Sequence, residues 1–178
     1  MSDERDERTG LFVLNTGNGK GKTTAALGVL MRAYGRGMKV IMLQFIKRRG
    51  SRSGEHLAAE KMGVEIVPLG DGFTWRTSDM EKDRQLAQEC WEICQDKLLN
   101  SDYDVVILDE LTYALTYRWL SVDEVLTAIA LRPKWMHVIV TGRDAVPALM
   151  EAADIVTEMI EIRHPFRKGI PGQMGIEF

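Results

Sequence analysis

Thr16, Gly17, Asn18, Gly19, Lys20, Gly21, Lys22, Thr23 and Thr24 follow directly on the apolar run Leu11-Phe12-Val13-Leu14. Three glycines in such a turn let the backbone curl so that successive N–H groups point at one anion. Lys22 adds a positive charge from what reads as an exposed loop, and Thr23 a hydroxyl for Mg²⁺. The helix expected after them turns its positive end toward the same place. The pattern is that of a phosphate-binding loop, G-x-x-x-x-G-K-S/T, with Thr16 where the first glycine is usual. Its acidic counterpart is Leu108-Asp109-Glu110, an acid at the end of an apolar run. In a doubly wound sheet the carboxyl ends of strands face the ligand crevice. An acid there holds Mg²⁺, directly or through water, beside the Thr23 hydroxyl. Alternation along a strand sends Asp109 and Glu110 to opposite sides, so they are not expected to share one task.

Three further segments carry chemistry-bearing residues. Gly70-Asp71-Gly72-Phe73-Thr74-Trp75 places two large aromatics on a glycine-containing loop. Exposing them is costly, so they either anchor the loop to the core or meet a flat apolar ligand. Lys47, Arg48, Arg49 and Arg52 crowd a flexible segment after a strand, facing phosphates, an anionic substrate or simply water. Arg143 follows the run Val138–Thr141 at the same edge and is a further candidate for phosphate contact. The three histidines have no metal-ligand or catalytic spacing, and His164 reads as structural. Cys90 and Cys94 lie one helical turn apart, a spacing that suits packing better than a disulfide or a metal site.

The elements that must position these residues alternate between apolar runs and helical patterns. That argues for an α/β architecture around a mostly parallel sheet. Strands are expected at 11–15, 40–45, 64–68, 105–109, 138–141 and 155–162. The first helix spans Lys22 to Tyr34 with a stripe of Leu27, Leu30, Met31 and Tyr34. A long helix follows the capping box Ser78/Glu81 and buries Leu86, Cys90, Ile93 and Cys94. Ser121 with Glu124 opens another, and Asp144 caps one more. Residues 1–10 read as a solvated tail and 11–178 as a single domain, a size that can bury a core. The net charge of −3 and pI near 5.7 speak against a nucleic-acid binder. No apolar run is long enough to span a membrane and the N-terminus lacks a signal-peptide core, so the expected setting is cytoplasmic.

Together these pieces resemble the ATP:corrinoid adenosyltransferases of bacterial cobalamin synthesis and salvage. The matching segments are Gly17–Ala26, Gln44-Phe45-Ile46-Lys47, Gly72–Trp75, Leu108–Leu111, Val140-Thr141-Gly142-Arg143 and Gln173–Phe178. The resemblance implies a P-loop, RecA-like fold with helices on both faces of the sheet, usually as a homodimer. It implies that Co(I) of a reduced corrinoid attacks C5′ of ATP and that triphosphate leaves. ATP would lie reversed in the loop. Gly17, Asn18, Gly19, Lys20, Gly21, Lys22, Thr23, Thr24 and Arg143 would bind it, and Thr23, Glu110 and, less centrally, Asp109 would hold Mg²⁺. Phe73 and Trp75 would lie under the corrin and displace its lower axial ligand, easing reduction of Co(II) by an electron donor. Arg76, Arg48 and the Ile170–Gln173 segment depart from the family pattern on the corrinoid side, which leaves the preferred corrinoid open. A kinase or ATPase of the same fold, releasing ADP, is the competing reading, and a silent nucleotide-binding module is a third.

Overall fold

A computed structural model of the chain describes residues 7–72 and 80–177. Phe73, Trp75, Arg76 and the expected cap Ser78 lie outside them. Six strands, β1 (Phe12–Thr16), β2 (Val40–Arg48), β3 (Glu65–Gly70), β4 (Val105–Asp109), β5 (His137–Thr141) and β6 (Ile155–Glu158), form one sheet in the order β3-β2-β4-β5-β1-β6. Every strand pairing among the described residues is parallel. Parallel neighbours need crossovers, here supplied by α1 (Lys22–Gly35), α2 (Gly54–Met62), α3 (Met80–Asn100), α4 (Leu111–Thr116), α5 (Val122–Leu131) and α6 (Pro147–Ala152). Helices therefore cover both faces, and central strands such as Val105–Asp109 are buried along their whole length. No helix is long and apolar enough to cross a membrane among the described residues.

The two faces have separate cores. Ala26, Leu30 and Ala33 of α1 pack on Val40, Met42, Val105, Ile107 and Ile139. On the other face Ala87, Cys90, Trp91, Cys94 and Leu98 of α3, with residues of α4, α5 and α6, cover Leu14, Leu43, Leu108 and Val140. Both cysteines are free and buried, and burial pushes the Cys90 thiol up to about 11. The chain is fastened to this body from Arg8, which donates to the Trp135 carbonyl and pairs with Asp104.

Several expectations are corrected. The buried stripe of α1 keeps the expected Leu30, with Leu27 packed beside it, but is completed by Ala26 and Ala33, whose small side chains let the helix lie close to the sheet, and Met31 and Tyr34 are exposed. Ile93 likewise faces outward, and Trp91 takes the buried place on α3. Ser121 accepts from the Glu124 amide as expected, but Asp144 is no cap. Val146 caps α6, and Pro147, whose missing N–H costs nothing at the first helical position, opens it. β6 stops at Glu158, because the next residue, Met159, turns onto the phosphate loop and accepts the Gly19 N–H at 2.6 Å. Helices α2 and α4, nine and six residues long, are too short to show a helical period in the sequence.

Candidate active site

Polar residues end three adjacent apolar strands. Along β2 the residues facing α1 are Val40, Met42 and then Gln44; along β4 they are Val105, Ile107 and then Asp109; along β5, Ile139 and then Thr141. Period two carries all three polar residues to the same face at the carboxyl edge, and the register sets Gln44 opposite Asp109. Asp109 Oδ1 accepts from Thr141 Oγ1 at 2.7 Å and from Thr23 Oγ1 at 2.9 Å; Oδ2 accepts from Gln44 Nε2 at 3.1 Å. Burial raises the Asp109 pKa, and the three donors offset part of that.

Glu110 enters the same cleft as Asp109, against the expectation from alternation. The strand ends at Asp109, and Glu110 takes a left-handed conformation (φ 61°) as the first residue beyond it, which re-aims its carboxylate. Such a conformation costs a non-glycine residue about 1–2 kcal/mol. Its amide donates to Thr141 Oγ1 at 3.0 Å, so Thr141 ties the two acids together. Burial and the Asp109 charge raise the Glu110 pKa, with Lys22 and Arg143 pulling the other way.

The loop at 16–24 connects β1 to α1, as its sequence predicts. Gly17 has φ 92°, and a Cβ there would come within 2.5 Å of the Met159 carbonyl, so the loop admits glycine alone at this point. Gly21 caps α1 without a side chain, leaving the first N–H groups of the helix for a ligand. Lys22 is buried, not exposed: Nζ donates to the Gly17 and Gly19 carbonyls, each at 2.8 Å. Burial lowers its pKa and Glu110 partly restores it. Asn18, Lys20 and Thr24 are exposed, and Lys20 pairs with Glu177 of the C-terminal segment at 2.6 Å.

A cleft of about 840 Å³ runs between these groups, lined by Lys20, Thr23, Lys47, Asp109, Glu110 and Arg143 among others. Gly72, where the aromatic loop departs, also lines it. The basic segment is less free than its composition suggests. Lys47 pairs with Glu55 at 3.2 Å and Arg52 with Glu60 at 2.7 Å, while Arg49 donates to the Leu69 carbonyl. Cations and the first turn of α1, lining one cleft with the buried Asp109 and the half-buried Glu110, suit a phosphate chain carrying a divalent cation.

Arg143 is set by its neighbour. Gly142 has φ 146°, and a Cβ there would overlap Thr112 Oγ1, which donates to the Arg143 carbonyl. Thr112 is fully buried and cannot swing away. Gly142→Ala is expected to cost about 2–4 kcal/mol through backbone strain and overpacking. The melting temperature should fall by roughly 5–15 °C. A thermal melt checks this, and a drop under about 2 °C would show that the contact yields freely.

Gln44, Thr141 and His56 were not singled out from the residues themselves. A signal for Gln44 was present: it is the one amide in the run Val40–Phe45. His56 Nε2 lies 2.8 Å from Gln44 Oε1, a pairing that spacing alone does not reveal.

Residues 8–178 match a family described as ATP:corrinoid adenosyltransferase BtuR/CobO/CobP. A corrinoid adenosyltransferase of Pseudomonas aeruginosa is 43% identical over all of this chain and 88% of its own length. That of Escherichia coli K12 is 42% identical over all of this chain and 90% of its own length. The corrinoid adenosyltransferase CobA of Salmonella typhimurium is 39% identical over 98% of this chain and 89% of its own length. Flagellar accessory protein FlaH of Methanocaldococcus jannaschii, at 10% identity, superimposes with a TM-score of 0.53 over 89% of this chain and 77% of that one. At that identity the likeness concerns the fold, and it agrees with a RecA-like α/β arrangement.

Proposed function

The chain belongs to the ATP:corrinoid adenosyltransferase family, and we propose from that premise how its carboxyl-edge cleft holds the reactants. The enzyme transfers the 5′-deoxyadenosyl group of ATP to the Co(I) of a corrinoid and releases triphosphate. The cobalt electron pair forms the bond to C5′, and the C5′–O bond breaks with its electrons going to triphosphate. No general base is needed, so the protein's work is to grip a leaving polyanion and to place C5′ against the cobalt.

The carrying observation is the uncapped start of α1, whose Thr23 bonds Asp109 and lines one cleft with Asp109, Glu110, Lys20 and Arg143. On this reading Gly17, Asn18, Gly21 and the amides of Lys22, Thr23 and Thr24 wrap the phosphates, Gly19, whose N–H is held by the Met159 carbonyl, shapes the loop around them, and Lys20, Lys22 and Arg143 neutralise them. Lys20 exchanges its Glu177 partner for phosphate. Thr23, Asp109 and Glu110 hold Mg²⁺. Their chemistry fits: a hydroxyl and two carboxylates are the hard oxygens Mg²⁺ takes together with phosphate and water. Among the described residues no cluster of three or more His, Cys, Asp or Glu side chains forms a metal cage of its own. Thr23 gives its proton to Asp109, so its lone pairs face outward. When bound, Mg²⁺ offsets charge that builds on the departing triphosphate.

Phe73 and Trp75 are proposed to exclude the lower axial ligand of the corrin, leaving four-coordinate Co(II) that an electron donor reduces. Their loop departs from Gly72 in the cleft wall, which supports the assignment. The double variant Phe73→Ala/Trp75→Ala should keep ATP affinity and lose adenosylation that starts from Co(II). Supplying Co(I) should restore part of the rate. Electron paramagnetic resonance of the ATP complex checks it; an undiminished four-coordinate Co(II) signal in the double variant sinks this role. The reaction itself is tested with ATP, Mg²⁺ and chemically reduced corrinoids, read by the light-sensitive spectrum of the product. ADP in place of triphosphate would favour a kinase.

A homodimer is part of the same reading. The edge strand β6 is exposed throughout, and Ile155, Val156, Ile160, Ile162 and Phe166 present a large apolar surface beside it. Such an edge needs covering, and a second copy of the chain would do it. A cytoplasmic setting suits the free thiols of Cys90 and Cys94.

A further inference from the structure

Gln44 and His56 have no part in the scheme above, yet both lead to Asp109. Gln44 is fully buried on the strand face that also carries Val40 and Met42, where an apolar side chain would serve the fold. Burying an amide is unfavourable unless its hydrogen bonds are made. Here both ends are used: Nε2 donates to Asp109 Oδ2 at 3.1 Å, and Oε1 lies 2.8 Å from His56 Nε2. Across the ring, His56 Nδ1 accepts the Ser53 backbone N–H at 3.1 Å as one half of the capping box of α2.

These contacts leave one consistent arrangement of protons. A neutral imidazole carries a single N–H. Nδ1 is committed to accepting from Ser53, so the proton sits on Nε2 and points at Gln44 Oε1. That turns the Gln44 NH₂ toward Asp109. Flipped, the amide would set oxygen against carboxylate and NH₂ against N–H. Burial lowers the His56 pKa, with Glu55 opposing, which favours the neutral ring.

We propose that His56 and Gln44 are positioning residues for the metal site: the cap of α2 fixes the imidazole proton, the proton fixes the amide, and the amide holds Asp109 with Oδ1 toward Thr23. The inference rests on the reading of Asp109 as a Mg²⁺ ligand. It also gives the short helix α2 a role in the reaction. Outer-shell partners of metal ligands typically contribute about 10- to 100-fold in metal affinity.

The test uses two replacements of one side chain. Asn at position 56 keeps an acceptor near Nδ1 and has no atom at Nε2. Gln reaches the Nε2 position with a donor, and its oxygen at this helix position can also serve the cap. ATP is titrated calorimetrically into each protein with Mg²⁺ and again with EDTA; the ratio of affinities is the Mg²⁺-dependent gain. His56→Asn should lose about tenfold of that ratio with its EDTA affinity unchanged, and His56→Gln should recover most of it. Gln44→Met, close in volume and lacking the amide, should repeat the loss and stands in if His56→Asn melts early. An unchanged ratio in His56→Asn and Gln44→Met, while Asp109→Asn loses it, overturns the proposal. So does a His56→Gln protein no better than His56→Asn. If Asp109→Asn also keeps the full ratio, the metal reading itself fails.

Discussion

Lys22→Ala should lower ATP affinity by roughly 10- to 100-fold, since a hydrogen bond to a charged partner is worth about 1.5–3 kcal/mol. The ammonium is buried and also spans the Gly17 and Gly19 carbonyls, so the substitution removes an internal strut of the loop as well as a charge. Water can reach the freed carbonyls once the side chain is gone. The global fold should therefore survive, with a melting temperature lower by a few degrees, about 2–4 °C per kcal/mol lost. Calorimetric ATP titration beside a thermal melt separates the two effects. Wild-type affinity in that titration would defeat the assignment of the loop to phosphate.

Asp109→Asn should reduce Mg²⁺-dependent turnover by at least the roughly 10- to 100-fold that losing an outer-shell partner costs. The carboxylate accepts from Thr23, Thr141 and Gln44, three donors. Asn has a single acceptor oxygen, and its NH₂ fits only if the threonine hydroxyls rotate to receive it. The two acids also set a pH dependence. Burial raises both pKa values, so the folded chain holds these protons to higher pH than the unfolded one. Without Mg²⁺, the contribution of these two acids to stability should be greatest below the ordinary carboxylate range and be lost as pH rises through the raised values. The Asn variant should lose its share of that slope. Urea midpoints against pH in EDTA, with turnover measured across Mg²⁺ concentrations, check both statements. A variant that turns over as fast at the same Mg²⁺ leaves Asp109 no ligand role.

What could be read in advance depended on whether a signal was local. Val105–Asp109 was found to the residue, because a strand buried on both faces is an uninterrupted apolar run. The start of α5 followed from Ser121 and Glu124 in the same way. The end of β6 was misjudged because Ile160 and Ile162 continue an apolar pattern, whereas the bond that ends the strand joins Met159 to the distant Gly19. Helix α2 escaped notice since only Ala59 of its nine residues is buried and His56 fills the place where a capping box usually has Glu or Gln. In the site, the loop and the acidic pair were legible as motifs. The shared direction of Asp109 and Glu110 was not, because it depends on one left-handed residue. Lys22 is legible as a phosphate ligand, but its burial is not, because it comes from carbonyls that only the curled loop brings over it.

The sheet order has a consequence for how the chain is made. β1, which carries the phosphate loop, precedes the other five strands in the chain, yet it lies between β5 and β6, with Val13 opposite Ile139 on one side and Ile155 on the other. A nascent chain therefore holds β1 without either neighbour until β5, the fifth strand in order, has emerged from the ribosome, and without the second until β6 has followed. The Met159 carbonyl that receives the Gly19 N–H arrives later still. Closing so long a loop delays the reward of pairing, and sheets built from distant strands fold slowly for that reason. A product truncated before residue 155 would contain every residue of the nucleotide loop and both acids, and would still leave the loop's strand with a bare edge.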